Sequence, residues 1–312
     1  MKMNGKNIGF VVLTGCAVFL AAYYAAGLYV PVPGAPTGAW PVLGAAAVIL
    51  VNGFGLLVTS NRISVKATVS VPLIYVALVT ANPWALRWSD FHPASLLFLG
   101  AIFCYLLFCT LRPSLELLAG CFFLLGASGL FIPPLLWLFP VFLLMGIGRT
   151  PRKAKYLVTA VLSLCIPLVI QGSIVYLHQD VDTALELLPQ LWAGMTTIHP
   201  AIRPFPAVTL ARILFVLAVT LVAILHVIHH LNTYKTVQFL AFIRLIGLAT
   251  ALSIMALIFP SSVHTPCGLI ICLPVTLLLN DFIIAPGHRR GKVALAVAAV
   301  LLFSAERVFQ LL

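Results

Sequence analysis

The sequence predicts an all-α, polytopic transmembrane bundle of about eleven helices, within a range of roughly 10–12, with its N-terminus in the cytoplasm. Three observations carry this. First, of 312 residues 62% are hydrophobic and only 8% charged, with a mean hydropathy of +1.14. So few charges cannot cover a soluble surface. Second, apolar stretches of about 20 residues, the length that crosses a hydrocarbon core, follow one another along the chain. The segments between them stay under about 30 residues, too short to build a soluble core. Third, the basic residues fall in every second gap between these stretches.

The first expected span, 8–30, follows Lys2 and Lys6. It is longer than the apolar core of a signal peptide, about 7–15 residues, so an uncleaved helix is favoured. The spans expected next are 39–59, 67–84, 94–111, 115–131, 133–148, 156–177, 207–228, 237–259, 267–285 and 293–312. Pro133 and Pro134 separate 115–131 from 133–148, and Pro140 interrupts the latter. These two read either as short tilted helices or as a re-entrant hairpin, and both options return the chain to the same side. The whole chain, 1–312, reads as one integral membrane domain.

With the N-terminus inside, the inner segments hold Lys2, Lys6, Arg62, Lys66, Arg112, Arg149, Arg152, Lys153, Lys155, Lys235, Arg289, Arg290 and Lys292. The outer loops hold only Arg87 and Arg203. Short loops biased this far set orientation. The acids Asp90, Asp180, Asp182 and Glu186 fall outside. The longest outer loop, 178–206, intersperses Val181, Leu185, Leu187, Leu188, Leu191 and Trp192 with Asp182, Glu186 and Gln190. That pattern predicts an interfacial amphipathic helix, with Pro189 against it.

Several functions are disfavoured at this level. A net charge of +11 would suggest nucleic acid in a soluble protein, but here the basic residues are short-loop charges with no continuous basic face. Cys16, Cys104, Cys109, Cys121, Cys165, Cys267 and Cys272 lie in or beside apolar runs and are scattered. They read as small hydrophobes rather than disulfides or zinc ligands. The sequence contains no G-x-x-x-x-G-K-[ST], H-E-x-x-H or G-x-S-x-G. The first outer loop, 31–38, carries no acid, which speaks against a glycosyltransferase using a lipid-linked donor. No cofactor and no metal site is expected.

Ionisable residues inside a bilayer are costly and mark function or pairing. Arg244 lies about 10 Å in from the start of its span and Asp281 about 6 Å from the end of the next, at 1.5 Å per residue. They are expected to form an intramembrane ion pair. Arg212, about 8 Å into its span, and Glu306, about 20 Å up the last, form a second couple, or Arg212 holds an anionic headgroup. The loop Arg87-Trp88-Ser89-Asp90-Phe91-His92-Pro93 gathers polar chemistry. Asp90 and His92 are candidates for a catalytic proton-transfer pair, or for the capped start of a helix with Pro93 in its first turn. His199, Arg203 and Arg212 are candidates to bind a phosphate-type headgroup beside them. Asp180 and Asp182 have the D-x-D spacing of a divalent-cation site, but two acids also suit a helix start. His226, His229 and His230 cluster at the inner end of a span, with no carboxylate or cysteine in that segment to complete a metal site.

Three stretches carry a family resemblance: Ser89-Asp90-Phe91-His92-Pro93 before an apolar span and Arg112; Leu130-Phe131-Ile132-Pro133-Pro134 before a short span ending at Arg149; and Leu273-Pro274-Val275-Thr276-Leu277-Leu278-Leu279 before a basic turn. Together they resemble a family of polytopic inner-membrane proteins of unknown function in Bacteroidota-type bacteria. The resemblance implies a multi-pass bacterial inner-membrane location and carries over no catalytic residue. The leading functional expectation is a non-enzymatic component of cell-envelope biogenesis, either a carrier of an amphipathic substrate or a subunit of a membrane complex. Its expected partners are the lipid bilayer, a lipid-linked substrate or other envelope proteins. An outer-face enzyme acting on a polyprenyl-phosphate-type substrate is the first alternative, and a secondary transporter the second.

Overall fold

The computed structural model describes residues 39–62, 70–80, 85, 88–110, 113–147, 153–178, 181–196, 207–230, 232, 234–258, 260–284 and 291. Among them there is no strand. The helices are α1 (Ala39–Arg62), α2 (Ser70–Thr80), α3 (Phe91–Thr110), α4 (Leu115–Phe131), α5 (Leu138–Ile147), α6 (Lys153–His178), α7 (Val181–Thr196), α8 (Ala207–His229), α9 (Thr236–Ile258) and α10 (Pro260–Ile284), with a 3₁₀ turn at Pro133–Trp137. Four described helices are long and apolar enough to cross a membrane: Leu43–Arg62, Phe91–Thr110, Lys153–His178 and Thr236–Met255. Shorter apolar helices cover Leu115–Phe131, Pro133–Gly146, Leu217–His229 and Ile270–Ile283. The expected spans 8–30 and 293–312 lie outside the described residues.

The chain divides into two compact, interleaved units. One comprises Met1–Ser89, Ile202–Tyr234 and Ile271–Leu312, the other Asp90–Ala201 and Lys235–Ile270. The sequence alone reads as a single domain because every span has the same apolar character, so composition marks no boundary.

In the first unit α1 packs on α2. Asn52 donates to the Tyr75 hydroxyl at 3.2 Å between two fully buried side chains. Such a bond is favourable inside an apolar bundle, where burying a polar group without a hydrogen bond is costly.

The second unit is built around α4, which packs on α3, on α6 and on the 3₁₀ turn. Ser114 caps α4 by accepting from the Leu117 N–H at 3.2 Å, with Glu116 in the first turn. Both features favour a helix start. Pro133 and Pro134 break the path after α4, and the turn sends α5 back along it, so that Phe139 and Phe142 meet Phe122. Residues 115–147 thus form two short helices about a 3₁₀ turn. At 1.5 Å per residue α5 is about 15 Å long, half the hydrocarbon thickness. It packs on α3, α6 and α9.

Only Ala160, Ser163 and Pro167 of α6 are buried among its described residues. This thin stripe of small side chains permits close contact with α4. Much of the rest of α6, including Leu162, Val169 and Leu177, is exposed apolar surface of the kind a bilayer covers.

The helix expected within 178–206 is α7. Its chain passes through Pro189 without ending. Trp137 Nε1 donates to the Met195 carbonyl at 3.1 Å, fastening the end of α7 to the 3₁₀ turn. Val181, Leu185, Leu188 and Trp192 remain exposed along it.

Candidate functional site

The last turn of α8 carries His226 and His229, and His230 follows it. Imidazoles suit a helix C-terminus, where positive charge is favoured. His230 Nδ1 lies 3.0 Å from the His226 carbonyl, and the two rings sit 4.5 Å apart at 37°. The His229 ring stands 5.1 Å from that of His230.

Asp281 lies in the last turn of α10, the end at which a carboxylate is disfavoured by about 0.3–1 kcal/mol. Its Oδ2 accepts a hydrogen bond from the Tyr234 hydroxyl and lies 3.4 Å from His226 Nε2. A hydrogen bond to a charged group is worth about 1.5–3 kcal/mol, which outweighs the dipole term. The pair is secluded, with 4% of the His226 side chain and 19% of the Asp281 side chain exposed. Phe282 closes one side, its ring 5.3 Å from His226. Burial first, then the hydrogen bond and charge of Asp281, push the Tyr234 hydroxyl well above its ordinary range. Tyr234 therefore stays protonated and acts as donor.

All three residues belong to the first unit. The histidines are thus completed by a carboxylate from a segment about 50 residues away, counted along the chain, and by a tyrosine that sequence reasoning missed. A usable signal was present: His226 and Asp281 each lie within about 6 Å of the end of a span that finishes on the same expected side. The arrangement sets an imidazole beside a carboxylate that also accepts a hydrogen bond from the Tyr234 hydroxyl. Among the described residues no group of three or more His, Cys, Asp or Glu side chains is arranged to hold a metal ion.

Of the expected Arg244–Asp281 couple, Arg244 belongs to the second unit and Asp281 to the first, and each has partners within its own unit. Arg244, in the second unit, is 6% exposed. Its Nη1 donates to the Leu240 carbonyl at 2.9 Å and its Nη2 to the Met145 carbonyl at 3.3 Å. Met145 lies in the last turn of α5, whose carbonyls have no partner within that helix. The guanidinium caps that short helix, while Asp281 has its own donors.

Asp90 and His92 are divided by burial. Asp90 is exposed, and its carbonyl accepts from the Ala94 N–H at 3.2 Å. His92 is 1% exposed in the first turn of α3, edge-on to Phe91. Ser95 donates to the His92 carbonyl at 2.8 Å. The geometry is that of a helix start, with Pro93 in the first turn. Asp182 lies exposed in the first turn of α7. His199, Arg203, Glu306 and Asp180 lie outside the described residues, as does the side chain of Arg212 within α8.

The chain matches no protein-family model, no curated protein and no solved structure.

Proposed function

We propose that this chain is a multi-pass protein of a bacterial inner membrane, with about eleven spans and a cytoplasmic N-terminus. In this reading it is a non-enzymatic component of cell-envelope biogenesis that carries an amphipathic, lipid-linked type of substrate. The observation that carries the reading is where the ionisable groups lie. Asp281 and His226 are secluded among apolar helices, where such residues serve substrate or ion paths. Asp90 and His92, the best acid–base candidates for an outer-face enzyme, differ instead in exposure, one open and one buried. The alternation of Lys and Arg between gaps supports the orientation, and the family resemblance supports the compartment. His199, Arg203, Arg212 and Glu306 are the residues proposed to meet the substrate headgroup on the outer side.

Gentle purification followed by native mass spectrometry should show a retained amphipathic ligand, kept equally by Asp90→Asn and His92→Gln. A ligand-free preparation sinks the carrier reading, and loss confined to those two variants favours the enzyme. Orientation has its own test. A Gln190→Cys variant should react with a membrane-impermeant maleimide from outside intact cells, well above the unmodified chain. Labelling only after permeabilisation reverses the topology.

A further inference from the structure

We propose that α7 is a lipid-binding surface helix: its uncovered apolar face is seated among lipids at the boundary between headgroups and acyl chains. The inference rests on the membrane reading above and names lipid, not protein, as the cover of this face. At about 100° per residue, α7 presents three faces. Leu187, Leu191, Gly194 and Met195 are half-buried and form the docked face. A Cβ at Gly194 would meet Pro133 Cγ at 2.9 Å, and the Met195 carbonyl accepts from Trp137 Nε1. Val181, Leu185, Leu188 and Trp192 recur at helical spacing, and each is more than half exposed. Their face is turned about 100° from the docked one. Asp182, Glu186 and Gln190 make the third face, an exposed polar stripe.

Docking fixes the rotation of α7, so the bare apolar face cannot turn inward. Two observations choose lipid to cover it. The first is continuity. α6 is long and apolar enough to cross a membrane, and its exposed apolar surface reaches Leu177. The bare stripe of α7 resumes at Val181, four residues on. The second is a gathering of exposed aromatic side chains. Tyr176 lies near the end of α6, Trp137 is bonded to the end of α7, and Trp192 stands in the bare stripe. Tyr and Trp collect at membrane–water boundaries, where one part of the ring is dry and the other wet. Charge then narrows the choice of lipid. α7 contains no Lys or Arg, and its charged side chains are Asp182 and Glu186. Its seat therefore depends on buried apolar area and gains nothing from anionic headgroups.

Electron paramagnetic resonance of spin-labelled cysteines tests this on the full chain in nanodiscs, with the labelled unmodified chain as background. Labels at Leu185→Cys and Leu188→Cys should be open to oxygen, which dissolves in acyl chains, and shielded from a water-soluble nickel chelate. Their oxygen-to-chelate accessibility ratio should exceed that at Glu186→Cys and Gln190→Cys by at least about threefold, in keeping with insertion of about 5–10 Å. Replacing phosphatidylcholine by phosphatidylglycerol should not raise it. A Leu185 label as open to the chelate as the Gln190 label puts the face in water and overturns the proposal. A label shielded from both probes, or broadened by a second label, means that protein covers the face and overturns it equally. A ratio that climbs with phosphatidylglycerol overturns the choice of lipid. Leu162→Cys, on the exposed side of α6, separates the failures. If its label lies in lipid while that at Leu185 lies in water, only the α7 proposal fails; if both lie in water, the membrane reading fails with it. The probes read depth, so neither cargo nor orientation enters the result.

Discussion

Replacing Phe142 by Ala should destabilise the second unit by about 3–5 kcal/mol. Phe142 is fully buried in α5 and touches three other aromatic rings: Tyr105 at 4.5 Å, Phe98 at 6.3 Å and Phe122 at 6.5 Å between centroids. All three contacts are edge-on, an arrangement that adds to area burial. The cluster joins α3, α4 and α5, so the cavity left by truncation has no single side able to collapse into it. Unfolding titrated with SDS in mixed micelles measures the loss, with Phe142→Leu as the milder control. A cost under about 1 kcal/mol would mean that the rings are not the core of this unit.

The second large effect is expected at Gly126, where Val should cost about 1–3 kcal/mol or more by the same measurement. A Cβ at Gly126 would meet the Leu164 carbonyl oxygen at 2.5 Å and Pro167 at 3.3 Å. The nearest atom is main chain and cannot rotate away, so α4 and α6 would have to separate. Separation would forfeit the packing that drives helix association where lipid removes the hydrophobic incentive. Gly120 offers a matched control: a Cβ there finds only the Cys104 thiol at 3.6 Å. Gly120→Ala should be nearly neutral, and equal losses at the two glycines would discard the close-contact explanation.

Much of the helical layout was legible because helix formation in an apolar medium is a local requirement: each span must satisfy its own backbone. The expected 115–131 coincides with α4, and the expected 156–177 and 237–259 differ from α6 and α9 by three residues or fewer at each end. Proline misled at one place. Pro189 stood against the interfacial helix, yet α7 runs through it. Pro133 and Pro134, adjacent and at a helix end, did break the chain.

Sequence alone determined the apolar helical character, the positions of the basic gaps and the short roster of ionisable residues within spans. Those properties follow from composition and from a period of 3.6, both local. Tertiary structure decided which of these residues meet. It paired Asp281 with His226 and Tyr234, gave Arg244 to the end of α5, and set His92 in the interior while leaving Asp90 outside. The reason is geometric. Depth along a helix can be counted from sequence, but the direction a side chain takes around it depends on which neighbour packs there, and that is settled only when the helices come together.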